Sequence, residues 1–412
     1  MLTRRQVLKS MLASAGLGLV PLSRRSWAWS SSGQSGDKHF IVVLMRGAVD
    51  GLSIVAPYAE QNYYKLRPGI AIGKPGEDGG LIDLDGFFGL HPSLAAVLPQ
   101  WRDRSLAFIH ACGSPAETRS HFEAQDIMET ALLNTALAKQ GWMNALAQIL
   151  PDNRAPARAI SAGNVMPKIF QGPANISSLP NNIRTGQVAA IDNPTLEKKF
   201  EQLYSTHPEL SGLYRQAVSA REMMMQDLQN EMVDSAKGAP VGDAFVAMSQ
   251  KVADMIHNDP RIQLVFMDAG GWDTHVAQGN AKGQLANKLE KFAQGIAVLI
   301  QRLGPAYKNT AILIMSEFGR TVGENGNKGT DHGHGNVAWL LGGDIEGGKI
   351  YGRWPGLDPE QLWEGRDLAV TTDFRAGIAA VLVKHFNLNA ALLEKVIPNY
   401  QFETGIPDIF KY

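Results

Sequence analysis

The sequence predicts an α/β fold in which a mostly parallel central sheet is covered by helices on both faces. Three observations predict it. Short, wholly apolar runs recur along the chain and end in polar or glycine-rich sequence, as buried strands do. Segments with apolar residues at three- and four-residue spacing separate those runs, so strands alternate with helices. The chain of 412 residues is 44% hydrophobic, enough for one large core or two ordinary ones.

The N-terminus reads as an export signal. Arg4 and Arg5 precede Val7, Leu8 and Lys9, a glycine-diluted apolar stretch runs from Met11 to Leu22, and Ser26 and Ala28 form a small-x-small exit behind Arg24 and Arg25. A paired arginine in this setting points to twin-arginine export of a folded protein to the periplasm. Cleavage after residue 28 would take five basic and no acidic side chains, moving the net charge from -1 to -6. Residues 29–37 are a polar linker, and the domain is expected over 38–412.

The first strand is expected at "HFIVVLM" from His39, followed by "SLAFIHA" from Ser105, "IQLVFMD" from Ile262, "AILIMS" from Ala311 and "VAWLLGG" from Val337. Helices are expected over 121–138, 195–235, 242–257, 285–303 and 373–386; in the fourth, Leu285, Leu289, Phe292, Ile296, Leu299, Ile300 and Leu303 line one face. The stretch 151–194 is rich in Pro, Asn and Gly, and 195–235 is long and charged without a companion strand. The region 151–260 is therefore expected to hold an insertion or cap. Balanced charge, 39 basic against 40 acidic residues, gives no footprint for nucleic acid, and no apolar run is long enough to span a membrane. Cys112 is the only cysteine, so no internal disulfide forms.

Parallel sheets bind ligands beyond the carboxyl ends of their strands. The strand exits here carry Asp50, then Ser120 and His121, then Asp268, Asp273 and His275, then Glu317 and Arg320; Asp331, His332 and His334 precede the last strand. Carboxylates and neutral imidazoles are what zinc, manganese and iron accept at a hydrolytic centre. Asp50, Asp268, Asp273, His275, Glu317, His332 and His334 are the candidate ligands. Each has a bland alternative: Asp50-Gly51 forms a turn, Asp273 caps a helix entering at 276, Glu317 pairs with Arg320, and Asp331 closes an Asx-turn. Their convergence on one edge is what favours a cation. Ser120, at a helix start, is a candidate nucleophile or else an N-cap completed by Glu123. Arg119 and Arg320 are suited to holding an anion, or form surface ion pairs.

The blocks "LMRGAVDGLSIVAPY", "RSHFEAQDIME", "GGWDTHVAQG", "SEFGRT" and "GTDHGHG" together resemble domain-of-unknown-function family 1501, bacterial proteins placed in the alkaline-phosphatase-like superfamily that also holds sulfatases. The resemblance runs from about residue 38 to the end of the chain. It implies an alkaline-phosphatase-like three-layer sandwich and a metal-dependent hydrolase of phosphate or sulfate esters, acting on a small anionic ester. The ion is expected to be zinc, manganese, calcium or magnesium. The resemblance further implies Ser120 as nucleophile with Thr118 as its fallback, and His334 or His332 as the late histidine ligand. Two departures stand out. Glu317-Phe318 occupies the place of an Asp-His pair, so a histidine ligand is missing unless His332 replaces it, and Asp50 lies several residues beyond its strand. A catalytically inactive envelope binding or assembly protein that retains the fold is the alternative.

Overall fold

The computed structural model describes residues 38–151, 157–163, 166–179, 243–402, 406 and 409–411. The expected signal and linker, residues 1–37, and the helix expected over 195–235 lie outside the described residues. In chain order the strands are β1 (His39–Met45), β2 (Val55–Ala56), β3 (Ile82–Asp83), β4 (Gly89–Leu90), β5 (Leu106–Gly113), β6 (Ala159–Ala162), β7 (Ser177–Leu179), β8 (Leu264–Ala269), β9 (Thr310–Met315), β10 (Asn336–Gly342), β11 (Lys349–Tyr351) and β12 (Thr372–Asp373). The helices are α1 (Gly51–Ile54), α2 (Gln61–Leu66), α3 (Leu98–Arg102), α4 (His121–Thr130), α5 (Trp142–Ile149), α6 (Asp243–Asn258), α7 (Gln284–Leu303), α8 (Arg375–Ala380) and α9 (Ala390–Val396).

The main sheet has the order β11-β5-β10-β9-β1-β8-β6-β7, with β12 also paired to β5. Strands β8, β1 and β9 run parallel, while β10 is antiparallel to both β9 and β5. Reversal of β10 has a direct consequence for the site. Chain leaving β1, β5, β8 and β9 and chain entering β10 all meet at the same sheet edge.

Period-two alternation sends side chains to opposite faces. On one face Phe40, Val42 and Leu44 of β1 pack with Ile127 and Met128 of α4, Trp142 and Leu146 of α5, and Ile378 of α8. On the other, Ile41, Val43 and Met45 pack with Met248 and Val252 of α6 and with Leu289, Phe292 and Ile296 of α7. Helices therefore cover both faces of a mostly parallel sheet, as the alternation of patterns predicts.

One expectation changes. The helix expected over 121–138 ends at Thr130, because Ala131 takes a left-handed conformation at φ 56°; a separate 3-10 turn covers Thr135–Leu137. Of 151–260, where an insertion or cap is expected, the described parts join the sheet and its covering helices: β6 and β7 extend the main sheet beyond β8, and α6 packs beside α7; residues 180–242 lie outside the described residues. Among the described residues, no helix is long and apolar enough to cross a membrane.

Candidate metal centre

Four side chains converge at the sheet edge. Nε2 of His121, at the first position of α4, lies 3.0 Å from Nε2 of His332, which in turn lies 3.2 Å from Nε2 of His275. Asp273, two residues before His275 in the loop after β8, places Oδ1 2.8 Å from His275 Nε2 and 3.4 Å from His332 Nε2. Its Oδ2 lies 3.8 Å from His121 Nε2, is buried, and has no hydrogen-bond partner.

The outer nitrogens explain why the inner ones face one another. His121 Nδ1 donates to Glu317 Oε1 at 2.8 Å, His275 Nδ1 to Asp331 Oδ1 at 3.1 Å, and His332 Nδ1 to the Arg119 carbonyl at 3.1 Å. Each partner can only accept, so each ring carries its proton on Nδ1 and turns a bare Nε2 lone pair inward. Metal-ligating histidines are held in this way, with the second nitrogen donating to a carboxylate or carbonyl. The fit to an ion is good on two counts. Zinc–nitrogen bonds of about 2.0–2.1 Å place tetrahedral ligands about 3.3 Å apart, close to the spacings found here. A buried carboxylate oxygen without a donor also requires compensation.

Without an ion, protons must supply that compensation. Burial lowers the affinity of His121 for a proton, but Asp273 and Glu317 outweigh it and hold the imidazole at about 9. Burial likewise opposes ionisation of Asp273, yet the adjacent His121, His275 and His332, with Arg320, hold its carboxyl well below the usual range. Glu317 is brought down to about 2: burial again opposes, and His121 and the Gly47 amide prevail.

Further hydrogen bonds hold these side chains in place. Glu317 Oε1 also accepts from Gly47 N at 2.8 Å and Gln125 Nε2 at 3.1 Å, and Oε2 accepts from Ser316 Oγ at 3.0 Å. Arg46 then ties Gln125, Glu129 and Asp268 together at 2.6, 2.8 and 3.0 Å. Gly47 has φ 109°, and a Cβ there would meet the backbone nitrogens of Trp272 and Asp273 at 3.0 Å, so only glycine lets the two exits meet. Gly319 is tighter still, since its Cβ would fall 1.8 Å from the Gly335 carbonyl oxygen. That approach folds the glycine-rich loop back on itself, with Arg320 bridged to His332, and carries His332 to the cluster.

Of the seven candidate ligands, Asp273, His275 and His332 meet, and Glu317 stands behind His121 as its hydrogen-bond acceptor. Three do not join them. Asp50 is fully buried and receives Arg67 Nη1 and Nη2 at 2.6 and 3.0 Å, Ser53 Oγ at 2.6 Å and Gln278 Nε2 at 2.7 Å, so its charge is already matched. Asp268 pairs with Arg46, and His334 stacks on Trp363 with ring centres 5.2 Å apart. Arg320 is also withdrawn from the role of anion holder: it is 1% exposed and is spent on Asp273 and on Thr330. Arg119 pairs with Asp367 and Glu364.

Ser120 is exposed at the N-cap of α4, and its side chain does not cap the helix. Glu123 instead accepts from Thr118 Oγ1 at 2.8 Å. No helix enters at 276; α7 begins at Gln284. Sequence reasoning places His121 at a strand exit without assigning it to the ligand set. Its neighbour Ser120 draws the attention there, and the usable signal is that both residues open the same helix. Phe318, which stands where a second histidine was expected, lies with its ring centre 4.9 Å from His121 and 5.1 Å from His332 and walls one side of the cluster.

The family model described as "Protein of unknown function (DUF1501)" matches residues 37–397. The chain belongs to this family. A search of curated protein sequences gives no match. Among solved structures, the chain is similar to the zinc complex of the C-terminal periplasmic domain of EptC from Escherichia coli, at 13% identity and TM-score 0.35, covering 75% of this chain and 74% of that one. It is similar to a protein in the alkaline phosphatase superfamily from Vibrio parahaemolyticus, at 10% identity and TM-score 0.37, covering 76% and 62%. A third is the PsFucS1 sulfatase from Pseudoalteromonas sp., at 10% identity and TM-score 0.39, covering 91% and 73%. At such identities the activities of these proteins are not carried over to this chain.

Proposed function

We propose that the protein is an exported, metal-dependent hydrolase of phosphate or sulfate esters, centred on His121, Asp273, His275 and His332. The observation that carries this reading is the orientation of the three rings: every Nδ1 is committed outward, and every Nε2 faces the Asp273 carboxylate, His275 and His332 toward Oδ1 and His121 toward the unpartnered Oδ2. Two imidazoles and a buried carboxylate, joined by the half-exposed His275, form an N/O donor set suited to a borderline divalent ion such as zinc or manganese. A divalent ion held there would supply Lewis acidity toward an ester oxygen or water.

The rest belongs to the chain. Arg320 keeps Asp273 ionised, and Glu317 keeps His121 turned inward. Ser120 offers an exposed hydroxyl beside His121 at the start of α4, where unpaired amides and the helix dipole favour an anion. Export along the twin-arginine route fits a centre assembled by folding before translocation, since its ligands come from 121 to 332 in sequence.

Elemental analysis of the purified protein should find one divalent ion per chain. EDTA should abolish hydrolysis of an aryl phosphate or aryl sulfate, and Ser120→Ala should lower kcat by about 10²-fold or more with the metal retained. Turnover that survives EDTA would contradict the reading. A metal-loaded protein without turnover across both ester classes would favour the alternative of an envelope binding or assembly protein.

A further inference from the structure

Two arginines flank His332 from outside the cluster, one through its backbone and one through its guanidinium. Arg119 accepts the His332 Nδ1–H on its backbone carbonyl, and Arg366 Nη2 donates to the His332 carbonyl at 2.8 Å. One carboxylate anchors both. Asp367, fully buried, takes Arg119 Nη2 at 2.7 Å and Nε at 3.1 Å, and Arg366 Nη2 at 3.0 Å, with Arg366 Nε 2.9 Å from its other oxygen. Both arginine side chains remain open to solvent, 33% and 45% exposed, and among the described residues Nη1 of neither makes a hydrogen bond. Glu364 Oε2 lies 2.5 Å from Arg119 Nη2, and its side chain is 57% exposed.

We infer that Arg119 and Arg366, anchored by Asp367 beside His332, form the anion-binding rim of the centre, with Glu364 as the internal carboxylate that an incoming anion displaces. Arg366 thereby takes the part that sequence position suggests for Arg320, which is buried and committed to Asp273. A guanidinium recognises a tetrahedral anion through its fork of N–H donors, and two forks on a rigid anchor suit a group with at least two charged oxygens, such as a terminal phosphate monoester. Asp367 contributes by burial: it cannot leave its arginines for water, so it fixes them. Glu364 is different because it is exposed at a turn, and its pairing with Arg119 is the one that exchange with substrate can break. The substrate class rests on the hydrolase reading; the electrostatics of the rim do not.

The test is isothermal titration of the full-length protein, metal content measured in parallel, with inorganic phosphate at pH 8. Arg366→Ala should weaken phosphate binding by at least about tenfold, with partial recovery in Arg366→Lys. Glu364→Gln should act the other way and tighten it roughly two- to fivefold, the range of an exposed ion pair. A purely structural role for these residues predicts no gain from Glu364→Gln, and that variant leaves the buried anchor intact. The inference is overturned if Arg366→Ala binds phosphate within about twofold of the parent, if Glu364→Gln weakens binding, or if the parent takes up no phosphate. A chain that carries no metal removes the hydrolase reading instead, and the opposed effects of the two variants still decide the rim.

Discussion

Asp50 and Asp273 are both buried carboxylates at the same sheet edge, and sequence gives them the same role. Asp50 meets Arg67 with two guanidinium nitrogens, and Ser53 and Gln278 complete its donors. Asp273 meets Arg320 on Oδ1, where His275 and His332 also approach, and leaves Oδ2 without a donor, 3.8 Å from the bare Nε2 of His121. The difference is one of completion. A buried charge whose partners are all supplied by the chain is an element of structure, whereas one left short among lone pairs is built for something that comes from outside.

The two are joined. Gln278 donates to Asp50 and accepts on Oε1 from Thr274 and Thr330, both at 2.8 Å, while Thr330 Oγ1 accepts from Arg320 Nε at 3.1 Å. The satisfied network therefore braces the unsatisfied one.

The largest effect expected is on the satisfied side. Arg67→Ala strands Asp50 as an unpaired buried charge and should cost about 3–5 kcal/mol in denaturant unfolding. An unchanged midpoint would contradict the assignment. Acid then separates this pair from the rest of the molecule. Burial holds His91 and His110 down at about 4 and His385 at about 3, below the ordinary 6.5. The unfolded chain takes up protons first, so stability is complete above about pH 6.5 and falls as pH drops through 4 toward 3. Burial opposes ionisation of Asp50, but Arg67 holds its pKa below the ordinary 3.8, so the stability it contributes is kept above that value and lost only as pH falls through the lowered one. Removing Arg67 leaves that burial unopposed and raises the Asp50 pKa in the variant, so the stability gap between parent and Arg67→Ala should narrow as pH falls toward 4, before Asp50 of the parent itself protonates. A gap that stays constant from about pH 7 down to 4, measured by urea titration, would break the comparison.

On the unsatisfied side, Glu317→Gln keeps an oxygen that can accept from His121 Nδ1 but removes the carboxylate charge behind the ring. It should weaken metal affinity about 10- to 100-fold in competition with a chelating dye, with little change in unfolding midpoint. A loss of stability without loss of affinity would make Glu317 structural, like Asp50. The smallest effect is expected where the networks join: Gln278→Leu should cost about 1–2 kcal/mol and loosen metal binding only severalfold, read by the same two assays.

Much of this was legible in the sequence. Uninterrupted apolar runs announced β1, β9 and β10, and the spacing of Leu285 through Leu303 announced α7. The exit motifs named Asp273, His275 and His332 because acids and imidazoles recur at the exits along one edge of one sheet. Strands β6 and β7 were not legible, since four and three residues carry too little alternation to distinguish from loop. Nor could sequence separate Asp50 from Asp273. The decision rests on which arginine reaches which carboxylate, and Gln278 reaches Asp50 across 228 positions. His121 was hidden for a related reason: its ring orientation depends on Glu317, brought to it by the sheet from 196 positions away.

Crystallography with anomalous scattering on the purified protein tests the centre most directly. The account predicts one peak, about 2.0–2.2 Å from Nε2 of His121 and His332 and from a carboxylate oxygen of Asp273, with His275 beside it. A peak at Asp50, or protein that folds and crystallises with no peak among those rings after soaking in zinc or manganese, would contradict it.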